Sequence, residues 1–266
     1  MTATLTLTRA LLWRLVHEGG RHLAAPLVPY VIVLLVTVVV SSVDGGSLIN
    51  GAGSATTVAD RYADGGHALT TGLLLTVGPT VAALFNALSV TRAVQGLVGA
   101  EVNRGGFEEL LGAPYTHRHI AAAVLGYLLA AATAFWAAYL TLLTLLVYGY
   151  AAATSGHLNL DGGYVALSLV LPLLVAWATG SLALLVSLLF PRLTQLGSAA
   201  GLSGGSVGNI VAMLPALGAV VAVSSGLAHF GAVRLLLVCG GVTLAVATVS
   251  VTTVALRFDP ESILDS

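Results

Sequence analysis

The sequence contains no lysine, a single cysteine and little charge of either sign. Charged residues make up 8% of its 266 residues, whereas hydrophobic residues make up 57%. A phosphate-binding loop of the G-x-x-x-x-G-K-[ST] type needs its lysine on the nucleotide phosphates, so this class of nucleotide site is excluded. The lone Cys239 allows neither an internal disulfide nor a cysteine-based metal site. The formal net charge of -1 argues against a nucleic-acid partner.

The few charged residues lie between long apolar runs. Because a charge at mid-membrane costs roughly 2.5 to 3.5 kcal/mol, a bilayer favours this segregation. We therefore predict an all-α polytopic membrane protein whose residues 1–266 form one transmembrane domain. One crossing needs about 20 residues. On that basis residues 23–256 hold six predicted spans, at 23–43, 69–90, 120–150, 164–190, 197–223 and 231–256.

The third to fifth runs are longer than one crossing requires. Their helices must therefore tilt, kink or project beyond the membrane. Pro172 and Pro215 are candidate kink positions, because proline removes a helical hydrogen bond. The stretch 215–230 fits either a short re-entrant turn or the end of a long straight helix.

Arginine provides all 10 positive charges and predicts the orientation of the spans. Most arginines lie before span one or after spans two, four and six, and only Arg61 and Arg234 lie on the other side. Under the positive-inside rule the arginine-rich regions are cytoplasmic. We therefore expect both termini in the cytoplasm, with residues 257–266 as a cytoplasmic tail.

Residues 1–22 precede the first span and carry an amphipathic pattern. Arg14 and Glu18 lie opposite an apolar stripe at helical spacing. This pattern predicts a cytoplasmic interfacial helix lying on the inner leaflet, with a solvated tail as the alternative. The apolar stripe consists of Leu11, Leu12, Leu15 and Val16.

The loop after span two contains a second short helical pattern. Phe107, Leu110 and Leu111 recur at i, i+3 and i+4, and glycines precede the run while Gly112 and Pro114 end it. Two turns of helix would thus present one apolar stripe to the cytoplasm. Such a stripe needs burial, either in the lipid interface or in a groove on a partner protein.

This loop resembles a segment of type 2 ATP-binding cassette (ABC-2) transporter permeases. From Glu101 it reads E-x-x-R-G-G-F-E-E-L-L-G-A-P-Y-T, similar to the family pattern E-x-x-x-G-T-x-E-x-L-L-x-x-P-[VI]-S. The final R-F-D-P-E-S-I-L is similar to the short tail that ends many of these permeases. The sequence departs from the family pattern at Gly106, Tyr115 and Thr116.

The resemblance implies a half-transporter that forms a homodimer, each copy seated on one ABC ATPase subunit. Its fold would carry a short cytoplasmic coupling helix between spans two and three. The chain itself would be neither an enzyme nor the holder of a cofactor, since ATP and Mg would bind the partner ATPase. Export of a hydrophobic or amphipathic drug, lipid or peptide-like substrate across a prokaryotic inner (plasma) membrane is the implied activity. The residues implied in ATPase coupling are Glu101, Arg104, Phe107, Glu108, Glu109, Leu110 and Leu111.

An alternative for this loop is that Glu108 and Glu109 only solvate one helix face while the apolar stripe lies among lipid headgroups. The alternative for the whole chain is a non-transporting membrane sensor or assembly subunit that recruits a cytoplasmic partner. An intramembrane enzyme ranks third, because no span carries paired acids or a nucleophile with its base.

The spans contain almost no ionisable residues, which disfavours proton- or ion-coupled transport. Their polar and aromatic side chains are candidates for a substrate path, with helix–helix hydrogen bonding as the alternative. These candidates are Asn86, Trp136, Tyr139, Trp177 and Asn209.

Span five is rich in small residues at four-residue spacing. Such spacing lets helix backbones approach closely, either within one subunit or across a dimer. The candidate packing residues are Gly201, Gly204, Gly205 and Gly208. His117 and His119 flank Arg118, but no carboxylate or cysteine joins them at a ligand spacing, so no metal site is predicted.

Overall fold

The computed structural model describes residues 2–43, 53–64, 68–103, 116–154, 157–189 and 207–257. Within these ranges the chain forms eight helices and one pair of short antiparallel strands. In chain order they are α1 Thr2–Ala24, α2 Leu27–Val43, α3 Gly53–Tyr62, β1 Ala63–Asp64, α4 Ala68–Asn103, α5 His117–Ala153, β2 His157–Leu158, α6 Gly162–Leu189, α7 Val207–Phe230 and α8 Ala232–Arg257.

The helices α4 to α8 are long and apolar enough to cross a membrane. Their apolar segments are Leu69–Leu97, Arg118–Ala153, Gly162–Leu189, Gly208–Leu227 and Ala232–Leu256. A crossing needs about 20 residues, and each of these segments has at least that number. The chain is therefore an integral membrane protein, and its all-α class is confirmed.

The first predicted span differs from the structure. The apolar run predicts one helix over residues 23–43, but α1 continues through Ala24 and a turn separates it from α2. Pro26 and Pro29 explain the break, because proline lacks an N–H and fits only the first turn of a helix. The apolar part of α2, Leu27–Ser41, has fewer than 18 residues. At 1.5 Å per residue it covers about 22 Å, less than the roughly 30 Å of bilayer hydrocarbon.

Two other boundaries also differ from the predictions. The helix α4 passes the predicted end at residue 90 and continues to Asn103, because nothing in 91–103 breaks it more strongly than single glycines. The helix α7 runs from Val207 through Pro215 to Phe230, so 215–230 is the end of a continuous helix and not a re-entrant turn. The preceding part of predicted span five, 197–206, lies outside the described residues.

Between α7 and α8 the chain turns at Gly231. Its φ is 76°, a left-handed backbone conformation that glycine adopts readily because it has no Cβ.

Contacts between α4, α5 and α6 fix their relative directions. The hydroxyl of Tyr164, at the start of α6, donates to the Leu75 carbonyl near the start of α4. Val90 meets Gly180 farther along both helices, so α4 and α6 run parallel. The Tyr127 hydroxyl near the start of α5 donates to the Ala93 carbonyl late in α4, so α5 runs antiparallel to them.

The helix α8 also runs parallel to α6. Val233 lies against Gly163 near the start of each helix, and Leu174 lies against Gly240 farther along. Since α6 and α8 are parallel, the end of α8 lies at the same end of the bundle as the end of α6. The antiparallel helix α7 returns the chain between them.

The bundle therefore has two different ends. One end, called the cap end here, carries α3, β1 and β2, because β1 pairs with β2 immediately before α6 begins. The other end, called the base end, carries α1, whose Thr8 hydroxyl donates to the Ala123 carbonyl near the start of α5 at 3.3 Å. The α1 helix and the last turn of α8 thus lie at the same end, as the predicted topology requires. Arg61 and Arg234, the two exceptions in the arginine pattern, lie at the cap end.

The helices α4 and α6 form the centre of the bundle. The apolar windows of α4 and α6 are 67% and 61% buried, whereas those of α5, α7 and α8 are only 28% to 39% buried. Large apolar side chains remain exposed on the outer helices, which fits contact with lipid chains. Examples on α7 and α8 are Leu214, Val221, Leu237 and Val242.

Candidate functional site

The predicted coupling segment connects two helices at the base end. Glu101 lies in the last turn of α4, which ends at Asn103, and α5 begins after Thr116. The other residues implied in coupling, Arg104, Phe107, Glu108, Glu109, Leu110 and Leu111, lie outside the described residues. The structure therefore locates the two attachment points of this segment and leaves its coupling helix as a prediction.

Thr116 and His119 lie at the start of α5, with Thr116 directly before its first residue. The His119 backbone N–H donates to the Thr116 carbonyl at 2.8 Å, and the two side chains are 2.9 Å apart at Oγ1 and Nδ1. This role in the first turn gives His119 a local structural function. Within the part of the chain that the structure describes, there is no group of three metal-binding side chains.

Asn86 lies at the middle of α4 and is fully buried. Its amide Nδ2 donates to the Pro172 carbonyl of α6 at 3.3 Å. That bond fixes the orientation of the amide, because only the nitrogen can donate to a carbonyl. Among the described residues, its Oδ1 has no hydrogen-bond partner. A buried acceptor left without a donor costs about 1 to 3 kcal/mol, so it calls for an explanation.

Two further unpaired polar atoms lie on the face of α6 that meets α4. Pro172 and Gly180 contact α4, and at 100° per residue Thr179 and Ser187 fall on the same side of α6. Both side chains are at most 3% exposed, and within the described ranges their hydroxyls have no partner. We call this interface the α4–α6 seam; it comprises Asn86, Val90, Pro172, Thr179, Gly180 and Ser187.

The seam contains hydrogen-bonding groups but no ionisable side chain. A Cβ on Gly180 would lie 2.5 Å from Val90 Cγ1, which shows how closely the two helices approach. Amide and hydroxyl groups in such surroundings can hold a water or an uncharged polar group. They cannot perform acid–base chemistry near neutral pH.

Tyr139, another candidate for the substrate path, lies at a junction of α2, α4 and α5. Its hydroxyl is 2.7 Å from Ser89 Oγ, and its backbone carbonyl accepts a hydrogen bond from the Tyr30 hydroxyl at 3.2 Å. The Tyr30 and Tyr139 rings pack edge to face with centroids 4.8 Å apart. These contacts attach α2 to the bundle and give Tyr139 the helix-packing role that the sequence left as its alternative.

The remaining path candidates are distributed among other interfaces. Trp136 donates from Nε1 to the Leu169 carbonyl at 2.7 Å and so links α5 to α6. Trp177 is half-buried on α6, and its Nε1 has no partner in the described part of the chain. Asn209 is half-buried in the first turn of α7. Asn86, Tyr139 and Trp136 thus serve three different helix interfaces, and only Asn86 belongs to the α4–α6 seam.

Of the four candidate packing glycines, the structure describes one. Gly208 is buried in the first turn of α7, so it packs within this subunit. Gly201, Gly204 and Gly205 lie outside the described residues. The same helix contacts α4 farther along, where Thr91 Oγ1 approaches Met213 Sδ at 3.9 Å.

The cap end contains a cluster that the sequence reasoning missed. Asp161 Oδ1 accepts the Tyr164 backbone N–H at 2.6 Å, which caps the N-terminus of α6. Its Oδ2 accepts the Tyr62 hydroxyl of α3 at 3.3 Å and lies 3.7 Å from Arg61. Both partners of the ion pair are largely exposed, so it adds little stability. An aspartate directly before an apolar helical run is a capping signal that was available in the sequence.

Burial holds α3 in place on this end. Val58, Ala59 and Tyr62 are each 3% exposed, and the Tyr62 and Tyr164 rings pack with centroids 5.0 Å apart. Burial, together with the nearby Asp161 carboxylate, raises the pKa of the Tyr62 hydroxyl above its ordinary value. The hydroxyl therefore stays protonated at neutral pH and remains a donor to Asp161.

Comparison with known proteins found no match, whether to a family model, to a curated protein or to a solved structure.

Proposed function

We propose that this chain is the transmembrane permease subunit of an ATP-driven ABC exporter that moves a hydrophobic or amphipathic substrate. The observation that carries the proposal is the ABC-2-like segment starting at Glu101, together with its position. The two helices that flank it, α4 and α5, both reach the base end, where a cytoplasmic ATPase would have to dock.

The six-span topology is part of this proposal. The helix α1 packs at the base end through Thr8, whereas α3 packs at the cap end through Tyr62. The chain between them must pass from one end to the other, and α2 is the apolar helix in that stretch. A short α2 can still cross if the bilayer thins locally around it. Both termini then lie in the cytoplasm. The membrane that the chain spans would be a prokaryotic inner membrane.

Energy would pass from the ATPase to the centre of the bundle through α4. ATP binding closes the two ATPase subunits of a homodimeric complex and moves the coupling helices seated on them. Because α4 is both the helix that leads into the coupling segment and half of the α4–α6 seam, its displacement would change that seam directly.

The substrate class follows from the chemistry of the seam. Uncharged amide and hydroxyl groups favour ligands with hydrogen-bonding but uncharged polar parts. Asn86, Thr179 and Ser187 themselves offer no counterion to a charged substrate.

The proposal is tested by co-expression with a separately encoded ABC ATPase and purification through a tag on this chain. We expect a complex with two ATPase and two permease copies, whose ATP hydrolysis in lipid nanodiscs is stimulated by a subset of hydrophobic compounds. A stable complex without stimulation by any compound would favour a sensor or assembly subunit. Failure to bind any such ATPase would contradict the proposal.

A further inference from the structure

The helix α1 has two faces that differ in exposure. Thr8 and Leu11 face the bundle, since Thr8 bonds to α5 and Leu11 is 6% exposed. Leu11 therefore packs on the protein, and not on the leaflet as the predicted apolar stripe had it. On a different face, Leu5, Arg9 and Trp13 follow one another at four-residue spacing, and all three are exposed. We call these three residues the outer face of α1. At 100° per residue they fall within about 80° of one another.

The apolar members of the outer face are too exposed for an aqueous surface. Leu5 is 66% exposed and Trp13 is 60% exposed. His17 stacks on the Trp13 ring at 4.1 Å, and its Nδ1 donates to the Trp13 carbonyl at 3.0 Å, which orders this turn. Tryptophan is enriched at the membrane–water interface, where its ring meets both apolar chains and polar headgroups.

The contact with α5 places α1 at the depth of the lipid headgroups. The apolar segment of α5 has 36 residues, Arg118–Ala153, or about 54 Å at 1.5 Å per residue. A hydrocarbon layer of about 30 Å centred on this segment begins near Gly126. Thr8 lies at the depth of Gly126, because its hydroxyl donates to the Ala123 carbonyl and its Oγ1 would lie 3.0 Å from a Cβ added to Gly126.

Depth and charge together identify the partner. We propose that the outer face of α1 binds an anionic phospholipid, with Arg9 at the phosphate and Leu5 and Trp13 beside the acyl chains and glycerol. A basic residue near an anionic leaflet contributes electrostatic attraction that a zwitterionic lipid does not offer. A protein partner is the competing occupant, but a face at headgroup depth on a helix attached to a spanning helix meets lipid first.

The test measures the lipids that remain bound to the full chain. The protein is equilibrated in micelles with equal amounts of phosphatidylglycerol and phosphatidylcholine, purified, and its bound lipids are quantified by mass spectrometry. We expect the parent to retain phosphatidylglycerol preferentially. Arg9→Gln should reduce that preference about fivefold, equivalent to roughly 1 kcal/mol, and Arg9→Lys should preserve it.

The matched control removes the same charge from the cap end. Arg234 is exposed near the start of α8, and Arg234→Gln should leave the lipid preference at the parental value. A spin label at Trp13→Cys in a Cys239→Ala background should report headgroup depth. The proposal is overturned if Arg9→Gln keeps the full preference, if Arg234→Gln loses as much, or if the label lies in bulk water.

Discussion

At the scale of residues, the bundle centre depends on how closely α4 and α6 approach. Val90 and Leu128 occupy the space in which a side chain at Gly180 would lie, so only glycine fits there without a shift of its neighbours. Asn86 lies in the same seam and leaves one amide oxygen unpaired among the described residues. Close packing and an unpaired polar atom therefore occur together at one interface, and the unpaired Asn86 oxygen is the group there that a bound water or polar ligand would satisfy.

Replacing Gly180 with leucine should destabilise the fold. The first added carbon would lie 2.5 Å from Val90 Cγ1, so α4 and α6 must separate. Gly218→Leu is the matched control, because Gly218 is exposed on α7 and a Cβ added there would meet no atom of the described residues within 4 Å. We expect Gly180→Leu to unfold at a lower temperature than this control, by the equivalent of about 2 to 3 kcal/mol. Equal melting temperatures in detergent would show that the seam is not closely packed.

Replacing Asn86 with alanine should separate function from stability. The change removes one hydrogen bond and one unpaired oxygen, so the melting temperature should shift little. If the seam holds substrate, stimulation of ATP hydrolysis by transported compounds should fall about tenfold, as expected for roughly 1.4 kcal/mol of lost binding.

Ser89→Ala provides the comparison for Asn86→Ala on the same helix. Ser89 lies 2.7 Å from the Tyr139 hydroxyl at the other interface of α4. Its removal should lower stability and leave compound stimulation intact. A reversed pattern, with stimulation lost in Ser89→Ala and kept in Asn86→Ala, would remove the seam from the substrate path.

At the scale of elements, apolar run length predicted α5, α6 and α8 well. Each is a continuous run with breakers at its ends, so length alone decides it. Run length failed at Pro26, where an apolar stretch continues but the backbone turns, and at Asn103, where α4 extends beyond its hydrophobic part. The cap was missed because α3 is polar in composition, and its burial comes from packing against α4, α6 and α7, which a local sequence pattern does not show.

The topology prediction can be tested by thiol labelling in a Cys239→Ala background. Thr116 is exposed at the base end and His157 is exposed at the cap end. Cysteine at His157 should react with an impermeant reagent added outside, whereas cysteine at Thr116 should react only after the membrane is opened. Cysteine at Val43, the last residue of α2, should behave like His157 if α2 crosses the bilayer. If Val43→Cys, like Thr116→Cys, reacts only after the membrane is opened, then α2 does not cross the bilayer and the protein has five crossings.

The cap should depend on the hydrogen bond between Tyr62 and Asp161. With cysteine at the buried Ala59 of α3, also in a Cys239→Ala background, Tyr62→Phe should accelerate thiol labelling about fivefold. That increase corresponds to the roughly 1 kcal/mol that one hydrogen bond contributes. Tyr148→Phe is the control, because Tyr148 is exposed on α5. Unchanged labelling in Tyr62→Phe would mean that apolar burial alone holds α3.

At the scale of the whole molecule, the distribution of charge separates a membrane bundle from the segments that connect its helices. The chain has no lysine for a phosphate-binding loop, yet the segment after α4 resembles one that receives force from an ATPase. The sequence could indicate that segment because its motif is local. The seam and the cap required the structure, since both depend on residues brought together from helices far apart in the chain.

The most direct measurement concerns the coupling segment. Phe107→Ala combined with Leu111→Ala removes apolar burial worth about 1.5 to 3 kcal/mol per side chain. ATPase binding should then weaken at least about 100-fold, while membrane insertion, which depends on the spans, persists. Phe230→Ala with Leu237→Ala is the matched control, since both side chains are exposed at or near the cap end. The account predicts that only the first pair abolishes complex formation and compound-stimulated ATP hydrolysis; parental values of both in that variant would contradict it.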